Sequence, residues 1–331
     1  MAVTTYRQVL NETLAQEMTR DENVFLMGEE IGVFEGSYKV TAGLLDKFGP
    51  RRVRDTPIAE EGFVGAAIGA AMVGLRPVVE IMTINFIVVA LDQILNHAAK
   101  IHYMFGGQTA VPMVIRTPGG GGQQLAATHS QNLEVWFAHI PGLKVVAPAN
   151  PYDARGLLRS AIRDNDPVIF LEHLALYNSK GEVPELEADN DYTIPIGLAE
   201  VKREGSDITI VSYSRMTSVA LEVAEKMQGE GISCEVIDLR SLRPLDTATI
   251  INSVKKTSRA VVLEEDWRSY GIGAEIAATL QEEAFDYLDA PVLRVASVEV
   301  PLPYSKPLEV AALAGPEQLE NAIRRTVTRR N

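Results

Sequence analysis

"RRVRDTPIAEEGFVGAAIGAAMVGLRPVVEIMTINF", residues 51–86, decides how this chain folds. Its opening reads as a short β-strand. Gly65, Gly69, Ala66, Ala67, Ala70 and Ala71 then build a helix with almost no side-chain bulk. From Arg76 the run turns apolar and β-branched again, which reads as a second strand. Strand, helix and strand in so short a span is a crossover unit, and crossovers join parallel strands.

The same alternation extends in both directions. "VFLMG" (24–28), "VPMVIRTP" (111–118), "LKVVAPAN" (143–150) and "VIFLEH" (168–173) read as buried strands. Thr5 and Gln8 have capping-box spacing ahead of a helix carrying Leu10, Leu14 and Met18. Residues 88–102 read as one helix. Pro151 opens another, which stops at "RDNDP" (163–167). An acidic, proline-bearing segment without periodicity follows Ser179. The pattern then restarts with "SDITIVSYS", "SVALEVAEKMQ", "SCEVIDLR", "DTATIINSVKKT" and "RAVVLEED". Glu222 and Lys226 are spaced as an exposed helical pair. The expected fold class is α/β, with two parallel-sheet α/β domains at 1–185 and 204–331 and a linker at 186–203.

Composition narrows the function. The chain has 331 residues, 23% of them charged, and a net charge of -13. That balance argues against a nucleic-acid partner and against an anionic membrane surface. The apolar run 63–75 is too short to span a bilayer. One cysteine, Cys234, permits no internal disulfide, fits a reducing compartment and reads as a core thiol. The N-terminus reads as neither signal nor transit peptide, so the expected location is the cytoplasm, or an organelle after removal of a leader.

Parallel sheets bind ligands beyond the carboxyl ends of their strands. "IAEEG", "TINF" and the glycine run 119–122 leading to "ATHSQ" lie at such ends. Two readings of Glu60 and Glu61 stand. Acids in a helix's first turn suit its dipole. Alternatively, one of them is desolvated at the end of a close helix–helix interface that the small-residue face permits. His129, after a glycine run that reads as a mobile loop, is either a structural histidine or a functional one. His97 and His102 read as structural, while His139 and His173 stay open. "RDNDP" is either a helix stop or a gathering of oxygens for a hard cation. No histidine pair has metal-ligand spacing, "GIGAE" (271–275) is no dinucleotide fingerprint, and "PGGGGQQ" lacks the end of a P-loop. A nucleotide-dependent oxidoreductase is therefore disfavoured.

Taken in order, "FLMGEEIGVFEGSYKVTAGLLDKFG", the stretch 52–86, "QILNHAAK", "ATHSQ", "PGLKVVAPANPYDARGLLRSAIRDNDPVIFLEH" and "SLRPLD" resemble the β subunits of thiamine diphosphate-dependent 2-oxo acid dehydrogenases. The likeness covers nearly the whole chain. The pyruvate form is nearest, through "DTPIAEEGF" and "HSQNLEVWF"; branched-chain and acetoin enzymes have related subunits.

The resemblance implies a pyrimidine-binding domain followed by a transketolase C-terminal-type domain. The family motif sets a glutamate five residues before a glycine, which selects Glu60 with Gly65, since Glu61 would need Ala66. That carboxyl would share a proton with the cofactor's pyrimidine nitrogen and so help its amino group act as a base. Phe86 would stack on the ring, with Ile58 and Met82 lining it. His129 matches the histidine thought to assist acetyl transfer to lipoyl groups. Met113, Ala161, Ile162, Asp164 and Asp166 align with potassium positions; Asp166 stands where the family often has Asn. The chain has no Gly-Asp-Gly. The resemblance therefore implies that magnesium and the diphosphate are held by an α subunit in an α2β2 tetramer. It also implies that the C-terminal domain docks on an acetyltransferase core. A noncatalytic assembly subunit is the alternative of a different class.

Overall fold

A computed structural model of the chain describes residues 1–185 and 191–328. Residues 186–190 of the expected linker lie outside the described residues. The chain forms two compact units: Met1–Gly119 with Trp136–Ile196, and Gly120–Val135 with Gly197–Asn331.

The first unit opens with β1 (Ala2–Thr5) and α1 (Tyr6–Arg20). The Thr5 hydroxyl accepts the Gln8 amide at 3.2 Å, so half of the capping box forms. The Gln8 side chain reaches forward to Glu12 instead of back to the cap. Next come β2 (Val24–Gly28), α2 (Leu44–Phe48), β3 (Val53–Asp55), α3 (Glu60–Met72) and β4 (Arg76–Glu80). The unit continues with α4 (Ile101–Met104), β5 (Val114–Gly119), α5 (Glu134–Ala138, crossing its boundary), β6 (Lys144–Val146), α6 (Pro151–Arg163), β7 (Val168–His173) and β8 (Lys180–Val183). Strands of this unit pair in the order β6-β7-β5-β4-β2-β3, all parallel. Their carboxyl ends gather Gly28, Asp55, Glu80, Gly119 and His173. β1 and β8 form a separate antiparallel pair.

The expected helix at 88–102 is not continuous. A 3-10 turn (Phe86–Ala90), a π-helical stretch (Gln93–Ala98) and α4 replace it. The turn at Gly142 lies so close that a Cβ there would meet the Ala99 carbonyl oxygen at 2.0 Å, and Lys100 donates to the Pro141 carbonyl. This approach coincides with the irregular backbone.

The second unit holds β9 (Glu200–Arg203), β10 (Ile208–Ser212), α7 (Arg215–Gly229), β11 (Cys234–Asp238), β12 (Ser241–Arg243), α8 (Thr247–Thr257), β13 (Ala260–Trp267), α9 (Ile272–Glu283), β14 (Leu293–Ser297), α10 (Lys306–Ala312) and α11 (Pro316–Val327). Five strands pair in the order β14-β13-β10-β11-β9. The sheet is parallel except for β9, an antiparallel edge strand formed by residues 200–203 of the expected linker. An antiparallel edge needs no crossover helix, a common ending for doubly wound sheets. The core packs Ile210, Val236, Leu263 and Cys234 with Ala220, Val223 and Ile323 of the flanking helices. Burial raises the Cys234 thiol to about 11, which leaves it unreactive. Lys226 pairs with Glu320 rather than with Glu222, because α11 packs beside α7 and offers a partly buried carboxylate at 2.6 Å.

Candidate active site

The carboxyl ends of β2, β3 and β4 concentrate unusual side chains. Glu60 is the first residue of α3 and is 6% exposed, although Glu61 beside it is exposed. Glu61 therefore suits the helix-dipole reading. Glu60 also gains from the dipole but lies in a dry setting. The α3 helix packs on β4 and on the 3-10 turn that begins at Phe86. Met82 and Phe86 are half-buried; Ile58 is 83% exposed, on the rim.

Glu29 was not singled out in the sequence and stands just past the end of β2. Burial, then the charge of Glu60, raises its carboxyl to about 7. Its Oε1 is buried without a hydrogen-bond partner among the described residues, as are the hydroxyls of Thr56 and Thr83. Three orphaned polar atoms thus follow the ends of three adjacent strands.

Beneath lies a buried ion network. Arg116 bonds Glu80 at 2.8 Å and Glu172 at 2.7 Å, and the Tyr177 hydroxyl donates to Glu172 at 2.6 Å. Glu80 pairs in register with Gly28, the residue before Glu29. Burial raises the Glu172 carboxyl, against the pull of Arg116. Removing Arg116 would strand two buried carboxylates at a cost of about 3–5 kcal/mol. The network thus sets the floor under the Glu29 turn. An arginine inside a strand carries no periodic signal, which is why sequence reasoning missed it.

The small-residue face divides. A Cβ on Gly65 would meet Gln93 Oε1 at 3.1 Å, within this chain. One on Gly69 would meet nothing within 4 Å. Gly62, Ala66, Gly69 and Val73 fall along one side of α3 and are exposed or half-exposed. That side is open to a second helix.

His129 belongs to the second unit, unlike Glu60. Its backbone amide donates to the Ala126 carbonyl, and its Nδ1 lies 3.0 Å from the Thr128 hydroxyl. The glycine run before it is not a loose loop. Gly121 donates to Glu265 at 2.6 Å, while Gly122 and Gln124 donate to Glu309 at 2.9 and 3.1 Å. The other histidines have local roles: His102 Nδ1 meets the Thr109 carbonyl, His97 Nδ1 approaches the Asp92 carbonyl, and His173 accepts the Ala175 amide. His139 is exposed.

Also in the second unit, Glu134, Glu264 and Asp266 form a buried acidic group. Burial, then the charge of Asp266, raises Glu134 to about 8, and the Tyr213 hydroxyl donates to it at 2.8 Å. Burial raises Glu264 and Asp266 to about 7 each.

Ala161, Ile162, Asp164 and Asp166 lie at or just past the end of α6 and Met113 just ahead of β5, and each accepts from a protein donor. Arg76 donates to the Ile162 and Asp164 carbonyls at 3.0 and 2.9 Å. The Met113 carbonyl accepts the Val168 amide, and that of Ala161 accepts the Asp164 amide. Lys144 binds both oxygens of Asp164, at 2.8 and 2.7 Å, and Asp166 at 2.9 Å. Arg76 thus already bonds two of these carbonyls, and Lys144 pairs with Asp164 and Asp166. Among the described residues no cluster of three His, Cys, Asp or Glu could hold a metal ion. No helix among them is long and apolar enough to cross a membrane.

Comparison with known proteins agrees with this architecture. A family model described as "Transketolase, pyrimidine binding domain" matches residues 2–180, and one described as "Transketolase, C-terminal domain" matches 197–319. The pyruvate dehydrogenase E1 component subunit beta of Dictyostelium discoideum mitochondria is 51% identical over 99% of this chain and 92% of its own length. The Rickettsia felis protein of that name is 51% identical over 97% of both chains. A solved structure described as a split-gene transketolase, an inactive beta4 tetramer, superposes with TM-score 0.78 at 24% identity over 98% of both chains, which speaks for the fold alone. The chain belongs to the family of pyruvate dehydrogenase E1 component β subunits, built from the transketolase pyrimidine-binding and C-terminal domains.

Proposed function

We propose that this chain is the pyrimidine-binding half of a thiamine diphosphate-dependent pyruvate dehydrogenase, active only with an α subunit. The observation that carries the reading is the acid pair: Glu60 buried at the head of α3, with Glu29 raised beside it. A buried carboxyl in a helix's first turn is fixed in direction and kept from bulk water, within reach of a ligand beyond the strand ends. Glu60 can therefore share a proton with a pyrimidine nitrogen without being released to bulk water. Phe86 offers an aromatic face, and Ile58 and Met82 offer apolar edges that exclude water. Bound there, the cofactor supplies the electron sink that lets the carboxylate of a 2-oxo acid leave as carbon dioxide. His129 would then serve transfer of the acetyl group to a lipoyl group, in reductive acetylation on the way to acetyl-CoA.

The remaining parts lie outside this chain. With no Gly-Asp-Gly here, magnesium and the diphosphate fall to an α subunit, in an α2β2 heterotetramer. The open side of α3 suits that assembly. The second unit would dock on an acetyltransferase core. The setting is the bacterial cytoplasm or an organelle matrix, as for relatives named bacterial and mitochondrial. Potassium would have to bind alongside Arg76 and Lys144. Reconstitution with an α subunit and assay on pyruvate, branched-chain 2-oxo acids and acetoin tests the substrate. The highest kcat/KM on pyruvate supports the reading; preference for a branched substrate or acetoin overturns that part. Failure to bind thiamine diphosphate with any α partner would favour a noncatalytic assembly subunit.

A further inference from the structure

We propose that Glu265 and Glu309 are positioning residues for His129, acting through the glycine run ahead of it. The proposal rests on the reading of His129 as the acyl-transfer histidine.

Gly120 and Gly122 have φ of +86° and +87°, a region that L side chains rarely adopt. A Cβ on Gly121 would meet Leu302 and Leu313 at 2.8 Å. The run is therefore built to turn its amides inward and to lie against a small apolar cluster of Leu302, Ala312 and Leu313. Consecutive inward amides form a nest that binds anions. Here the anions are the chain's own carboxylates. Glu265 takes Gly121, and Glu309 takes Gly122 and Gln124.

Both acids are themselves held. Arg215 donates to the other oxygen of Glu265 at 2.7 Å, and the Ser297 hydroxyl donates to the Glu265 carbonyl. Glu309 is 1% exposed, within α10. The far end of the loop is tied back by the Gly120 amide, 3.4 Å from the Gln131 carbonyl. His129 sits two residues before that closure. The loop thus has closed ends and an interior pinned at three amides, the construction of a compact Ω-loop. Charge-assisted bonds to backbone amides hold more tightly than neutral ones. Releasing them would let the histidine wander while leaving Glu60 and the first unit alone.

The test uses the reconstituted αβ enzyme with Glu309→Gln and Glu309→Ala, and Glu265→Gln as a variant outside α10. Three readouts are taken: decarboxylation with an artificial electron acceptor, reductive acetylation of a lipoyl domain, and amide exchange at 120–131. The proposal expects near-normal decarboxylation, lipoyl acetylation reduced about tenfold in kcat with pyruvate KM unchanged, and faster exchange at Gly121, Gly122 and Gln124. Glu309→Gln, which keeps a neutral acceptor, should be milder than Glu309→Ala. Unchanged exchange would overturn the clamp. Faster exchange with unchanged acetylation, while His129→Ala is impaired, would overturn the positioning role. His129→Ala with normal acetylation would instead remove the acyl-transfer reading; the positioning role would fall with it, and exchange would still decide the clamp.

Discussion

Glu29 and Glu60 share the carboxyl end of the first sheet, and burial, together with the charge of Glu60, sets the Glu29 carboxyl at about 7. Two acids from separate elements thus lie within electrostatic reach of each other in a dry setting. Such a pair can keep one proton near neutral pH, which is what a site that hands a proton to a heterocycle requires.

Replacing Glu29 with Gln should remove an ionisation near neutral pH from the kcat/KM profile of the reconstituted enzyme. The glutamine stays neutral, so Glu60 no longer meets a second charge as pH rises. Measurement from pH 6 to 8.5 checks this; a profile identical to wild type would show that Glu29 does not titrate with the reaction.

The buried acids of the second unit predict a pH-dependent stability. Glu134, Glu264 and Asp266 have folded-state values of about 8, 7 and 7, above the ordinary 4.5, 4.5 and 3.8. Tyr213, Glu265 and Arg294 also act on this cluster, and Arg215 pairs with Glu265. Between the two sets of values the folded protein holds protons that the unfolded chain has released. The stability these groups contribute is therefore fully present below about pH 4 and falls as pH rises toward about 8. Asp266→Asn, which can still accept the Trp267 amide, should shallow the decline, so that its Tm relative to wild type improves from pH 5.5 to pH 8. Parallel Tm curves would contradict the burial argument.

Arg76 and Lys144 predict indifference to the monovalent cation. Exchanging potassium for sodium should leave Tm unchanged, because protein donors already hold the Ile162 and Asp164 oxygens. Arg76→Leu should cost about 1.5–3 kcal/mol, as for hydrogen bonds from a charged group. A potassium-specific rise in Tm would show that the loop binds the ion after all.

Much of this was legible in the sequence, for identifiable reasons. The strand–helix alternation follows from periodicity, and the acid doublet stood out by its place ahead of a helix with no bulk, while the choice of Glu60 over Glu61 came from the resemblance. Glu29 was not legible because its burial is tertiary; a doublet in a loop looks the same wet or dry. Nor was the hold on the glycine run. Glu265 lies 144 residues from Gly121, and Glu309 lies 187 from Gly122. Glycines that read as mobile are glycines that the fold needs for inward amides. The oxygens of "RDNDP" were legible as a gathering, and Ala161 and Ile162 came from the resemblance, but their partners were not legible, since Arg76 and Lys144 come from other strands.

The central claim is that Glu60, and not its neighbour, works on the cofactor. The most direct measurement compares decarboxylation by Glu60→Ala and Glu61→Ala in the tetramer reconstituted with an α subunit and thiamine diphosphate. The account predicts a loss of about 10²–10⁴-fold for Glu60→Ala, the range of general acid–base catalysis, with Glu61→Ala close to wild type. Equal losses from both, or an intact Glu60→Ala enzyme, would contradict it.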